Sequence, residues 1–208
     1  MGKIVSATES KPSTPASGNG TAYFNSTTKK LAFIDDAGLH QSLSLGNFST
    51  TSQAPAATTR TYITGSNIAF PAGALQVGTK LRWVISLTKT GAGTATSTID
   101  IAFGTAGTTA DTARVSFTKP AGTAAADEGT ITIEAIVRSI GASGVVVGQF
   151  NMIHNLSATG HMVIPCACVN TVSAGFDMTT VTNVGICITS GASDAVTIQL
   201  VTAEAFNL

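Results

Sequence analysis

At 208 residues and 20.9 kDa, the chain can hold one ordinary domain with an appendage, or two small ones, because domains usually run to about 100–150 residues. Apolar residues make up 43% of it and charged residues 11%; that charged share is well under half of the ordinary value of about 25%, which argues against disorder and against a charge-driven partner. Eleven Lys plus Arg balance eleven Asp plus Glu, so nothing attracts a nucleic-acid backbone or an anionic membrane over distance, and neither is expected as a partner.

Thr supplies roughly a sixth of the residues, with Ala, Gly, Ser and Val also abundant, a composition that favours strands and turns over helices and predicts an all-β protein. The first ten residues, Met1 to Ser10, lack the apolar stretch of about 7–15 residues that a secretory signal needs. No run approaches the roughly 20 apolar residues of a membrane-crossing helix; Val145–Val147 and Met162–Cys166 end quickly. Three cysteines, Cys166, Cys168 and Cys187, are an odd number for a disulfide scaffold. Synthesis in a reducing cytoplasm fits them.

Along the chain, residues 1–22 are rich in Ser, Thr, Pro, Gly and Ala and carry neither a helical nor a strand period; they read as an extended arm unable to order by itself. Residues 23–59 read as a β-hairpin attachment unit and linker. Two short apolar runs flank a polar turn, Asn25 to Lys30, a third strand follows around Leu39–Leu43, and residues 44–59 resemble a connecting segment. An isolated hairpin is marginal in water, so this unit needs a partner surface.

From residue 60 to 208 the pattern is of strands bounded by Gly, Pro, Asn or Asp. The expected strands are Thr61–Thr64, Asn67–Phe70, Lys80–Thr88, Thr96–Phe103, Arg114–Thr118, Thr130–Ile140, Val145–Asn155, Met162–Asn170, Asn183–Thr189 and Val196–Glu204. Several alternate strictly. Leu81, Trp83, Ile85 and Leu87 share one face, as do Ile131, Ile133, Ala135 and Val137, and likewise Val196, Ile198 and Leu200. Such alternation predicts antiparallel sheets with one buried face each, and about eight to ten strands in this length predict a jelly-roll-like β-sandwich.

Few residue sets point to chemistry. Cys166, Cys168, Cys187, His154 and His161 carry zinc-ligand atoms, but the spacing is poor, and the cysteines read as core packing. His154 falls on the polar face of its strand and reads as solvated; His161 follows Gly160 at a turn. No Gly-x-Ser-x-Gly elbow accompanies the three histidines. Asp100, Asp111, Asp127, Glu128, Glu134 and Asp177 read as solvated loop or outward-face charges rather than as paired catalytic carboxylates. Gly91–Gly93 and Gly141–Gly144 lack the Lys-Ser/Thr of a phosphate loop and read as hairpin turns. Trp83 alternates in phase with Leu81 and Ile85, so burial is expected for it rather than sugar stacking. No catalytic, cofactor-binding or metal residue is therefore expected.

Two stretches resemble structural proteins of tailed-bacteriophage virions. Thr21-Ala-Tyr-Phe-Asn-Ser-Thr-Thr-Lys-Lys-Leu-Ala-Phe-Ile-Asp-Asp-Ala-Gly-Leu-His40 resembles the short hairpin near the N-termini of phage fibre and decoration proteins. Ile68–Arg82 and Gly129–Gly144 are similar to the β-sandwich domains of phage structural proteins that assemble as trimers. The resemblance implies a non-enzymatic homotrimer on the virion exterior: a capsid decoration, cement or head-fibre protein bound through its N-terminal region to the major capsid protein or another virion protein. The alternatives are a tail-fibre or receptor-binding component, or a carbohydrate-binding β-sandwich with a host-surface glycan as ligand.

Overall fold

The structure, a computed structural model, describes residues 4–9, 13–25, 31–34, 36–37, 40–42, 45–164, 166–193 and 195–207. It divides into two units, residues 1–45 and 46–208. In the first, β1 (Ile4–Glu9), β2 (Thr21–Asn25), β3 (Leu31–Ile34) and β4 (His40–Ser42) form one sheet in the order β1-β2-β3-β4. Strands β2, β3 and β4 pair antiparallel, and β1 joins β2 in parallel. The expected hairpin is β2–β3 with β4 as its third strand; its turn at 26–30 lies outside the described residues. The segment read as an arm thus contains a strand. Its sequence lacks a strand period, but main-chain ladder bonds to an available edge do not require one.

The second unit contains β5 (Leu45–Ser49), β6 (Thr61–Tyr62), β7 (Ile68–Phe70), β8 (Lys80–Lys89), β9 (Ser97–Gly104), β10 (Thr112–Lys119), β11 (Asp127–Ser139), β12 (Val145–His154), β13 (Cys166–Val172), β14 (Thr182–Thr189) and β15 (Val196–Phe206). One sheet has the order β13-β12-β11-β8-β15-β5; the other runs β10-β9-β14-β6, with β7 also on β14. The ladders of β8 with β11 and β15, of β12 with β11 and β13, and of β9 with β10 and β14 are all antiparallel. All ten strands expected between residues 60 and 208 are present, and the chain is an all-β protein with an antiparallel β-sandwich.

Alternation builds the core between the sheets. Leu81, Trp83, Ile85 and Leu87 of β8 and Ile131, Ile133, Ala135 and Val137 of β11 are buried, facing Ile99, Ile101, Val115, Phe117, Val184 and Ile186 from the other sheet. Phe117 and Phe150 stack across the gap with ring centroids 5.4 Å apart. The buried Trp83 indole donates its Nε1–H to the Ser66 carbonyl at 2.8 Å, which satisfies its polar tip.

Three details depart from expectation. In β15 a register shift between Ile198 and Leu200 reverses the phase. Val201, Ala203 and Ala205 are then buried, and Leu200 is exposed; an inserted residue turns every later side chain to the opposite face. The eighth expected strand starts later, at Cys166, because Met162 is buried within a loop. The stretch read as a linker holds β5 and straps both sheets. Gln53 exchanges two main-chain bonds with Ile198, and Thr58 N–H donates to the Ser190 carbonyl at 2.8 Å.

Candidate functional site

Strands β8, β10, β11 and β12 bring charged and polar residues together at one end of the sandwich. Asp127, His154, Lys89 and Lys119 are all buried there, with His161 wholly so. This corrects two expectations. His154 is in phase with the inward Phe150 and Met152 rather than solvated, and Asp127 is not a solvated turn charge. The Asp127 Oδ2 atom lies 2.6 Å from His154 Nδ1 and accepts the His161 N–H at 2.9 Å, while its Oδ1 accepts the Glu128 N–H at 2.9 Å and the Leu156 N–H at 3.2 Å. Burial alone would raise the Asp127 carboxyl, but these donors outweigh it and hold the group below its ordinary value. The Lys89 ammonium donates to the carbonyls of Thr90, Thr123 and Ala125, and that of Lys119 to Ala95, Pro120 and His161. The second ring nitrogen of His154 is bonded to the Ile164 carbonyl. With both nitrogens committed, His154 cannot serve a nucleophile as its base. The cluster buckles loops together.

A second charged group covers the outer face of the smaller sheet. Asp100, read as an outward charge, is outward but buried, because Arg60 lies over it with Nε 2.9 Å from Oδ2 and Nη2 2.5 Å from Oδ1. Arg60 Nη1 also donates to the carbonyls of Thr109 at 2.8 Å and Asp111 at 2.7 Å. Beneath it the Cys187 thiol is pushed up to about 12, chiefly by burial and then by Asp100. This thiol is buried beneath Arg60 on the outer face and inert.

At the end opposite the lysines, a cleft of about 340 Å³ opens between the loops before β10 and before β14. One wall is the 104–112 loop. Asp111, also buried, accepts the Ala106 and Gly107 N–H groups at 3.0 and 2.8 Å, and Gly104 leaves the space that the Asp111 carboxyl fills. The other wall is pinned by the Phe176 N–H to the Gly144 carbonyl and the Met178 N–H to the Gly141 carbonyl, both at 3.0 Å. Asp177 closes that wall with Oδ1 accepting the Thr179 N–H at 2.8 Å and hydroxyl at 2.6 Å, which holds its carboxyl below the ordinary value.

Arg114 lines this cleft from a register shift. Ala113 pairs with Ala102 and Val115 with Ile101, so Arg114 is the extra, unpaired residue of a β-bulge, a device that re-aims a side chain. Its guanidinium carbon stands 5.8 Å from the centroid of the Phe176 ring, and Nη1 donates to the Gly175 carbonyl at 3.2 Å. The buried Nε has no hydrogen-bond partner.

The outer face of the larger sheet is open. Cross-strand register sets Val172, Val147, Ile136, Lys80 and Phe206 in one row, and Asn170, Gln149, Glu134, Arg82 and Glu204 in the next. Lys80 and Arg82 both reach Glu134, at 2.8 and 3.7 Å. Cys166 and Cys168 share this face and are exposed, contrary to their reading as core. Their strand is the sheet's last, and apolar character alone does not tell a core strand from an edge. Among the described residues no group of three or more His, Cys, Asp or Glu is placed to hold a metal ion.

Sequence reading passed over Arg114 and Arg60 altogether. A bulge depends on what the partner strand does, and Arg60 acts on an aspartate 40 residues away; neither leaves a local periodic signal.

No family model matches the chain, and no curated protein does. Among solved structures it is similar to the CBM2 module of the evolved Dit of Lactobacillus casei BL23 phage J-1, at 8% identity and TM-score 0.30, over 79% of this chain and 98% of that one. It is also similar to the β-fructofuranosidase of Schwanniomyces occidentalis, at 9% identity and TM-score 0.25, over 91% of this chain and 40% of that one. A legume lectin-like domain of Entamoeba histolytica matches at 9% identity and TM-score 0.25, over 78% and 90%. Likeness of this size assigns no family.

Proposed function

We propose that the chain is a non-enzymatic structural protein of a tailed-phage particle: a homotrimeric capsid decoration, cement or head-fibre subunit whose N-terminal unit attaches to the shell and whose sandwich faces outward. The observation that carries this reading is the N-terminal sheet. Its four strands are three to six residues long, and the buried cluster described in it consists of Tyr23 and Ile34. Its edge strands, β1 and β4, end the ladder on either side, and an edge strand presents main-chain N–H and C=O groups to which a partner surface can pair. The major capsid protein or another virion protein would supply it. The resemblance carried by residues 21–40 points the same way.

The charged groups support a structural role as well. Asp127, His154, Lys89, Lys119, Arg60 and Asp100 spend their bonds on loop carbonyls, N–H groups and each other. Labelling intact particles with gold-tagged antibody against residues 46–208 tests the proposal. Label spread over the head is the expected result. Label confined to the tail would replace decoration by a tail-fibre role, and unlabelled particles would overturn the virion assignment.

A further inference from the structure

The cleft beside Arg114 has the composition of a ligand site. A guanidinium carries five N–H donors, and Arg114 spends one of them on Gly175. Its Nε is buried and unpaired, so the donors a ligand in the cleft can reach are those at the guanidinium's Nη end, which lines the cleft with only the Gly175 bond made. Asp177 faces the same space with one carboxylate oxygen held by Thr179. Arg114 and Asp177 make no ion pair with each other, so the cleft presents a donor and an acceptor that do not neutralise one another. Thr105, Thr112, Thr180 and Thr182 add hydroxyl-bearing side chains, and the exposed Val181 adds an apolar patch.

The walls are fixed in advance. Arg60 ties the Thr109 and Asp111 carbonyls to the sheet, while Gly141 and Gly144 tie the loop bearing Phe176 and Asp177. Positioning of this kind reduces the entropy lost on binding. A volume of about 340 Å³ lies at the small end of ligand pockets, which run from about 300 to 1,000 Å³. It suits a terminal ring or a short oligomer.

We propose that this cleft binds a neutral saccharide, with Arg114 donating to ring or hydroxyl oxygens and Asp177 accepting from a hydroxyl. The charges select this class. An anionic ligand would meet the exposed Asp177 carboxylate, with the buried Asp111 charge in the wall behind it, and a cationic one would meet the Arg114 guanidinium. A polyol is both donor and acceptor at each hydroxyl, so it can bridge the two without carrying charge. Phe176 is buried beneath the guanidinium and offers no open stacking face. Affinity at one site should therefore be weak, with Kd about 1 mM, and many copies on one surface would multiply it.

Saturation-transfer NMR on the full chain tests this, with methyl glycosides of glucose, galactose and mannose, N-acetylglucosamine, and glucuronate as an anionic probe. At least one neutral sugar should receive saturation. Asp177→Asn, at an exposed position, should weaken that sugar about tenfold with an unchanged melting midpoint, and Arg114→Gln should abolish the transfer. Glu128→Gln, exposed on β11 beside the buried Asp127 at the opposite end of the sandwich, should leave it unaltered. Silence from every neutral sugar, preference for glucuronate, or transfer indifferent to both cleft variants would overturn the proposal. Particle labelling reads the virion role separately, so either proposal can fail alone.

Discussion

At the scale of single residues, acid should loosen the sandwich through the buckle around Asp127. Burial pushes His161 down to about 4; the Lys119, His154 and Lys89 charges act in the same direction, and Asp127 opposes them. An unfolded chain takes up a proton there near pH 6.5, whereas the folded chain refuses it until about pH 4. Between those values the unfolded state binds more protons, so stability falls as pH falls, by on the order of 3 kcal/mol over the window. The Asp127 carboxyl is lowered in the folded state, so its contribution is complete above the ordinary carboxylate value and is lost as pH drops through the lower folded one. Both His161 ring nitrogens lack partners, so His161→Leu removes a titration without removing a bond. The urea midpoint of the native chain should decline from pH 7 to pH 4, and that of His161→Leu should stay nearly level. An equal decline in the variant would locate the acid sensitivity elsewhere.

At the scale of elements, the close approach of the sheets depends on a residue that breaks the pattern of its strand. Gly148 occupies an inward position of β12 between Val146 and Phe150, and a Cβ there would come within 2.7 Å of Val115 Cγ1. The Val115 side chain fills the space that a larger residue would need. Gly148→Val should therefore destabilise by about 1–3 kcal/mol through overpacking, while Gln149→Val, next door on the exposed face, should stay within about 0.5 kcal/mol; urea unfolding at neutral pH measures both. Period-two alternation makes β8 and β11 legible in the amino-acid sequence, because their buried faces run unbroken from Leu81 to Leu87 and from Ile131 to Val137. The same signal fails at Leu200 and at Arg114, where a bulge resets the phase by an interaction across strands. It fails for His154 and Asp127 as well, since polarity points to water while each is buried against the other. The cleft is illegible for a like reason: its two walls meet only once β9, β10 and β14 are in register.

At the scale of the whole molecule, the open face of the larger sheet is where the proposed homotrimer would make its contact. Its outermost row contains Val172 at 52% exposure, Ile136 at 46% and Phe206 at 40%, with Lys80 the one charge among them, already held by Glu134. The terminal strand β13, Cys-Ala-Cys-Val-Asn-Thr-Val, has no Lys, Glu or Pro of the kind that guards a free edge. Monomeric proteins seldom leave such apolar surface contiguous with an unguarded edge, and the absence of like charges suits contacts among identical copies. For the proposed homotrimer, sedimentation equilibrium should give a mass near three times 20.9 kDa, and residues 46–208 alone should still form it if this row is the contact. Val172→Lys together with Ile136→Lys should yield monomers that still unfold cooperatively, with a melting midpoint lowered only by the lost assembly. A trimer that survives the double substitution would move the contact to another face. A trimer lost on removing residues 1–45 would assign assembly to the N-terminal sheet, and a full chain that stays monomeric would leave trimerisation to the shell on which it sits.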